Sequence, residues 1–294
     1  MTLIPFDDRD GFIWFDGEMV PWREAKIHVI NHGLHYGSSI FEGERCYNGK
    51  IFKSLEHTAR LFNSAEILGM SIPFTPDEIT AAKDAVLKAN NLTDAYVRPV
   101  AWRGSEQMGI GAQLAKTHVA IAAWQWPSYF SEELREKGIA MITSPWKKPR
   151  PDTAPCHAKA AGLYMINTIS KHFAENQGYN DALMFDYRGY PVEATGANLF
   201  RIKNKILRTP EPDCFLNGLT RQTVIELARE LGYTVEIDHI TEEDLYAADE
   251  VFLTGTATEL TAVGKINQTQ YVVGPVTRHL RESYSKLVRG QAYK

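Results

Sequence analysis

RCYNGKIFKSLEHTARLFNSAEILG, residues 45–69, sets a strand period and a helix period side by side. Asn48 and Gly49 separate two short strand-like runs, a dipeptide suited to a tight turn whose central residues need positive φ. Directly afterwards Leu55, Ala59, Leu61, Phe62, Ala65, Ile67 and Leu68 recur at helical spacing, with Ser54 available as an N-cap. Hairpin and helix mixed within one short region favour an α+β fold over a doubly wound parallel sheet.

Working outward, FIWFDGEMVPW (residues 12–22) repeats the hairpin device with Asp16 and Gly17. A second helix is expected from Thr75, where Pro76 suits the first helical position and Glu78 completes a capping box. Strands are expected at Tyr96 to Trp102 and His118 to Trp124. Trp126, Pro127, Ser128, Tyr129 and Phe130 then break the pattern. Beyond them strand-like runs (IAMITS, DALMFD, NLFRI, KILRT, DEVFLTG) alternate with helices near Leu163 to Asn176, Thr220 to Leu231 and Val276 to Leu287. The expected organisation is a small domain over 1–125, an interdomain loop over 126–136 and a larger domain over 137–294, with a cleft between the domains.

Composition narrows the function. The chain has 294 residues, 44% of them hydrophobic, enough for a sizeable core. A formal charge of -4 with no block of like charge argues against nucleic acid or a membrane surface as the main partner and for a small-molecule enzyme. Cys46, Cys156 and Cys214 are far apart, with no CxxC pair or His at ligand spacing, so reduced thiols are expected and no metal. The N-terminus is acidic, and no run approaches the roughly eighteen apolar residues of a membrane span. A cytoplasmic protein is expected, which makes the Asn-x-Thr matches at Asn91 and Asn267 accidental.

Three neighbourhoods suit chemistry. In CHAKAAGLYM (residues 156–165) Lys159 stands among Ala158, Ala160, Ala161 and Gly162, with no acidic residue in the ten positions that follow. A lysine amine condenses with an aldehyde only when neutral, and small apolar neighbours favour that form and leave room for a planar ring. In YPVEATGANLF (residues 190–200) Glu193 follows an apparent strand and precedes Thr195-Gly196, where a carboxylate can meet a ring nitrogen and keep it protonated. In LNGLTRQTVIELARELG (residues 216–232) Gly218 and Thr220 open an amphipathic helix whose N-terminus suits a phosphate. Gly255-Thr256-Ala257 offers a second anion-binding turn. Each has a plainer reading as well: a surface lysine, a solvated strand-end glutamate, an N-cap threonine. His32 and His35 lack partners for zinc and read as structural. The dinucleotide, P-loop and nucleophile-elbow motifs are absent.

Taken in order, HGLHYGSSIFEGERCY, the arginine of EHTARLFNSA, AYVRP, HAKAAG, EATGANLF, LNGLTR and TGTATEL resemble the branched-chain aminotransferases of the fold-type IV pyridoxal-phosphate enzymes, from about Ile13 to Leu287. The resemblance implies a smaller N-terminal α/β domain, a larger C-terminal mixed barrel-like domain and pyridoxal 5'-phosphate as cofactor. It implies that Lys159 forms the Schiff base and serves as acid and base, that Tyr164 meets the ring's phenolic oxygen, and that Glu193 meets its nitrogen. Arg60, Leu219, Thr220 and Thr256 are implied to hold the phosphate. The substrate α-carboxylate falls to the Thr256-Ala257 turn and Tyr96, and the second carboxylate of glutamate or 2-oxoglutarate to Arg98, which shares a strand face with Tyr96. Tyr36, Phe41, Trp126 and Tyr129 are implied as pocket walls, with Met108 or Ile110 contributed by a neighbouring subunit of at least a homodimer.

By the same resemblance the activity is reversible amino transfer between Leu, Ile or Val and 2-oxoglutarate with ping-pong kinetics. Transaminases acting on D-amino acids or amines, and aminodeoxychorismate lyase, share the lysine, glutamate and phosphate cup; the Tyr96-x-Arg98 pair favours the branched-chain class. A catalytically dead binding protein is the reading from another class. Two departures stand out: Glu44 where an apolar residue such as Ile is expected, and MGIGA (residues 108–112) in place of an MGVNP-like loop. Both are expected to touch the pocket rim.

Overall fold

Asp16 and Gly17 have φ of 47° and 103°, and Asn48 and Gly49 have φ of 51° and 79°, so both expected tight turns use the left-handed region. They close β1 (Phe12–Phe15) on β2 (Glu18–Pro21) and, further along, the strand Glu44–Tyr47 on the strand Lys50–Ile51. The computed structural model describes residues 4–126 and 131–293. By packing, the chain forms two units, one comprising residues up to 127 with 158–162, the other 128–157 with 163–294.

The first unit continues with α1 (His32–Tyr36), β3 (Ser39–Phe41), β4 (Glu44–Tyr47), β5 (Lys50–Ile51), α2 (Ser54–Ile67), α3 (Pro76–Ala89), β6 (Ala95–Arg103) and β7 (Thr117–Gln125). Its sheet runs β2-β1-β7-β6-β4-β5 with β3 also on β6, and every pairing is antiparallel. Leu61 and Ala65 of α2 and Ile79, Ala82 and Val86 of α3 share a core with Val97, Ala101, Val119, Ile121 and Ala123 of the sheet. The capping box of Thr75 and Glu78 is present, with Pro76 at the first turn. At α2 the sequence expectation fails: Lys53, at φ 53°, is the cap residue, and Ser54 is already helical with its hydroxyl buried and unbonded. The inward stripe of α2 is also more polar than expected. Leu55 and Ile67 are exposed, whereas His57, Thr58 and Ser64 are buried.

The second unit contains α4 (Glu132–Lys137), β8 (Ile139–Lys148), α5 (Tyr164–Asn176), β9 (Asp181–Asp186), β10 (Pro191–Ala194), β11 (Asn198–Lys203), β12 (Ile206–Thr209), α6 (Leu219–Glu230), β13 (Val235–Ile237), α7 (Glu242–Tyr246), β14 (Glu250–Gly255), β15 (Glu259–Ile266), β16 (Thr269–Gln270) and α8 (Pro275–Val288). The order β10-β9-β8-β15-β14-β11 closes on itself where Glu193 of β10 pairs with Asn198 of β11, giving a six-stranded barrel. It is mixed, as expected: β8 runs parallel to both β9 and β15, and the other ring pairings are antiparallel. Strands β9 and β10 are buried at every position, so neither shows the alternation of a half-exposed strand.

Two features differ from the domain limits expected from sequence. Part of the expected loop over 126–136 is the short helix α4, capped by Ser131. Residues 158–162 pack with the first unit rather than with 137–294, because Ala160 bridges Ile40 and the Lys159 backbone bonds Phe41 and Ser64. No helix among the described residues is long and apolar enough to cross a membrane.

Candidate active site

Lys159 is held by its backbone on both sides. Its carbonyl accepts from Phe41 N–H at 3.1 Å and its N–H donates to Ser64 Oγ at 2.9 Å. Its Nζ lies 4.7 Å from the centroid of the Phe41 ring, and Arg98 Cζ lies 4.7 Å from the same centroid. One aromatic ring thus meets both the Lys159 amine and the Arg98 guanidinium. Tyr96 and Arg98 share a face of β6, and Arg98 Nη2 donates to Tyr96 Oη at 3.1 Å. Tyr96 stacks near Trp124 and Trp126 at 5.2 and 4.9 Å. Gly43 is required here, since a Cβ on it would stand 1.9 Å from Tyr96 Oη.

Lys159, Phe41, Tyr96, Arg98 and Trp126 therefore form one continuous set. Tyr36 stands apart from it on α1, 48% exposed and tilted against His32 at 4.7 Å. Both histidines of that segment bond backbone carbonyls: His32 Nε2 meets Gly109 O at 2.9 Å and His35 Nε2 meets Val29 O at 3.0 Å. Met108 and Ile110 are 45% and 90% exposed on the segment His32 anchors. Tyr129 lies outside the described residues.

Behind this set lie two buried carboxylates that sequence reasoning did not connect. Glu42 accepts from Arg60 Nε and Nη2 at 2.7 and 2.8 Å and pairs with His57 Nδ1 at 2.7 Å. Burial alone pushes its carboxyl up, but Arg60 and then His57 outweigh burial and hold it well below the usual range. Burial likewise pushes His57 down, against the pull of Glu42. Arg60, implied as a phosphate ligand, thus has two of its nitrogens on Glu42.

Glu44 corrects an expectation more directly. It is fully buried and faces Lys83 of α3, equally buried, at 2.8 and 3.1 Å; Lys83 Nζ also donates to Ser54 O and Thr58 Oγ1. The departure from an apolar residue therefore faces the helices and not a pocket rim. Burial pushes the Glu44 carboxyl up to about 8, offset only in part by Lys83. The sequence flagged Glu44 alone; its partner Lys83 lies 39 residues further along the chain and becomes recognisable only in the fold.

In the second unit Glu193 is anchored through both oxygens. Lys148 Nζ stands 2.8 Å from Oε1, and Asn198 Nδ2 donates to Oε2 at 3.1 Å. Burial disfavours the Lys148 ammonium, but the charge of Glu193 outweighs it, with a further contribution from Tyr164, and the lysine's pKa is raised. Lys148 was not legible as a site residue, since nothing in PWKKPRP distinguishes one lysine from the next.

Asn198 Oδ1 in turn accepts the N–H of Gly218, the N-cap of α6, at 3.2 Å. No side chain caps α6 and no acidic residue occupies its first turn, so the N–H groups of Leu219 and Thr220 stand at the positive end of the helix. Thr220 is the second helical residue, not the cap. The turn Thr256-Ala257-Thr258 follows β14, which pairs with Asn198 at Thr254; Gly255 packs against Gly196 and Ala197. Thr254 and Thr258 carry buried hydroxyls with no hydrogen-bond partner. Carboxylate, helix N-terminus and turn share one end of the barrel. Among the described residues no group of three or more His, Cys, Asp or Glu is placed to hold a metal.

Comparison with known proteins gives a consistent result. A family model described as amino-transferase class IV matches residues 39–266. The branched-chain-amino-acid aminotransferase of Pseudomonas aeruginosa is 42% identical over 291 residues, covering 97% of this chain and 95% of that protein. A crystal structure of the T.th. branched-chain amino acid aminotransferase with pyridoxamine 5'-phosphate superposes with a TM-score of 0.94 at 39% identity, covering 97% of this chain and 96% of that one. The same enzyme complexed with N-(5'-phosphopyridoxyl)-L-glutamate gives 0.92 at 38% identity, with the same coverage.

Proposed function

Because this chain belongs to the class IV amino-transferases, we propose that it is a pyridoxal-phosphate-dependent branched-chain-amino-acid aminotransferase, moving amino groups between Leu, Ile or Val and 2-oxoglutarate. The fold is fold-type IV and the cofactor is pyridoxal 5'-phosphate. The observation that carries the reading is at one end of the barrel, where the doubly anchored carboxylate of Glu193 and an uncapped helix N-terminus stand together.

The residues present fit that cofactor. An uncapped helix start, a Gly218 that admits no Cβ and the unbonded hydroxyls of Thr254 and Thr258 suit an anion, while Glu193 suits a protonated ring nitrogen. Leu219, Thr220, Thr256 and Arg60 would hold the phosphate, Tyr164 the phenolic oxygen and Lys159 the aldehyde carbon. When bound, the cofactor supplies an aldehyde that captures amines and a ring that withdraws electrons from the substrate α-carbon.

The chain's own residues supply the rest. Lys159 Nζ takes the α-proton as base and returns it as acid. Its place over Phe41 keeps the amine beside an apolar face. Lys148 and Asn198 fix Glu193 in charge and direction. Tyr96 and the Thr256-Ala257 turn would take the substrate α-carboxylate. Arg98, steadied by Tyr96 and Phe41, would take the second carboxylate of the dicarboxylic partner. The glutamate adduct bound by the T.th. enzyme supports that second substrate. Phe41, Tyr36, Trp126 and Tyr129 are proposed to wall the side-chain pocket.

A homodimer in the cytoplasm is part of the proposal. Ile27, Val29, Ile30, Leu34, Met108 and Ile110 of the first unit are exposed apolar residues, a surface that suits burial against a second copy of this chain. The test of function is an initial-velocity study with L-leucine and 2-oxoglutarate, for which parallel double-reciprocal lines are expected. Intersecting lines would count against the scheme, and activity with D-alanine alone would overturn the stereochemical assignment.

A further inference from the structure

Asn198 is buried to 5% exposure and has every polar atom of its amide engaged. Nδ2 donates to Glu193 Oε2 at 3.1 Å and to Leu216 O at 3.2 Å, and Oδ1 accepts from Gly218 N–H at 3.2 Å. Only this orientation is satisfied, since a flipped amide would set its oxygen against a carboxylate and a carbonyl. Its backbone pairs with Glu193 on one side and Thr254 on the other. One short side chain therefore spans the gap between the carboxylate and the start of α6. The same closeness explains Gly218, on which a Cβ would stand 2.2 Å from Asn198 Oδ1.

We propose that Asn198 is a positioning residue that sets the spacing between Glu193 and the N-terminus of α6, and with it the length over which the cofactor's ring nitrogen and phosphate are held together. Its amide is taken up entirely by protein groups. It acts through two groups whose separation must match a rigid molecule, and to that extent it rests on the functional reading above. A packing role alone would tolerate the isosteric aspartate. A positioning role would not, because aspartate replaces two donors with acceptors facing Glu193 Oε2 and Leu216 O.

The test uses the full-length chain, stripped and reloaded with pyridoxal phosphate or with pyridoxal, which lacks the phosphate. Bound cofactor is read by absorbance, and the unloaded protein by thermal unfolding. Asn198→Ala and Asn198→Asp are expected to raise the dissociation constant for pyridoxal phosphate about tenfold or more. The preference for pyridoxal phosphate over pyridoxal should shrink, with the unloaded protein still folded. On a Glu193→Ala background, adding Asn198→Ala should cost less than about threefold, because the element it positions is gone. Gly218→Ala should reproduce the loss by pressing on Asn198, and it carries the test if the asparagine variants do not fold.

Asparagine variants that bind within about threefold of the parent while Glu193→Ala is impaired overturn the proposal, as does a loss that multiplies undiminished on Glu193→Ala. If Glu193→Ala itself leaves binding unchanged, the functional reading fails and Asn198 has nothing to position.

Discussion

Lys83 Nζ lies 2.8 Å from Glu44 Oε2 with both side chains fully buried, and the same ammonium pins the first turn of α2. Above pH about 8, where Glu44 is ionised as well as Lys83, removing one partner strands a charge in the core, at about 3–5 kcal/mol, whereas replacing both with apolar residues is near neutral. Lys83→Met and Glu44→Leu should each destabilise by that amount, and the double variant should return to within about 1 kcal/mol of the parent. Denaturant unfolding of all four proteins checks this. Additive losses would show that the two do not act as a pair.

The pH dependence of stability follows from the same site. Glu44 keeps its proton up to about 8 in the folded protein, above its ordinary value of 4.5. A raised carboxyl favours the folded state at low pH, and that contribution is lost as pH climbs from the ordinary value through the raised one. The slope is at most about 1.4 kcal/mol per pH unit. Glu42, held low by Arg60 and His57, acts in the opposite sense, its contribution lost only as pH falls below the ordinary range. Thermal unfolding should therefore show stability declining from mildly acidic to mildly alkaline pH, a trend that Glu44→Gln removes. An unchanged slope in that variant would assign the decline to other groups.

Lys159→Ala should abolish transamination and leave the fold intact, because the packing at that position is made by the backbone bonds to Phe41 and Ser64. Activity above about one per cent of the parent would be incompatible with covalent catalysis at this lysine. Borohydride reduction of the loaded enzyme and peptide mapping should place the pyridoxyl label on Lys159.

Lys148→Met should weaken both stability and cofactor retention, since it leaves the Glu193 carboxylate nearly buried without its ammonium. The cost expected for breaking such a pair from one side is about 3–5 kcal/mol. The raised pKa of Lys148 places the matching pH effect at the alkaline end, where the ion pair's contribution is lost as the lysine deprotonates. Unfolding midpoints and cofactor occupancy after gel filtration report the two effects separately. A variant that keeps both would show that Asn198 alone anchors Glu193.

Much of the fold was legible where local chemistry repeats a rule. Asp16-Gly17 and Asn48-Gly49 could only be turns, and Thr75-Pro76 with Glu78 could hardly be anything but a helix start. What the sequence hid were elements defined by partners distant along the chain. Strand β15, paired with β8 on one side and β14 on the other, was not read from the sequence. The N-terminus of α2 was misjudged because Ser54 is a good cap by composition, whereas the turn before it places Lys53 in the left-handed region and makes Ser54 the first helical residue. At the proposed site, Lys159 and Glu193 were singled out through motif order. Lys148, Glu42 and Lys83 were not, because a buried charge is recognisable only beside its counter-charge.

The five residues 158–162 belong by packing to the first unit, although the chain on either side of them belongs to the second. A cut at the 127/128 border would therefore leave an N-terminal fragment without the lysine that Phe41 and Ser64 hold in place. During synthesis that unit stays unfinished until residue 162 has been made. Circular permutation or fragment complementation at this border would have to carry the 158–162 segment along with its neighbours in space rather than its neighbours in sequence.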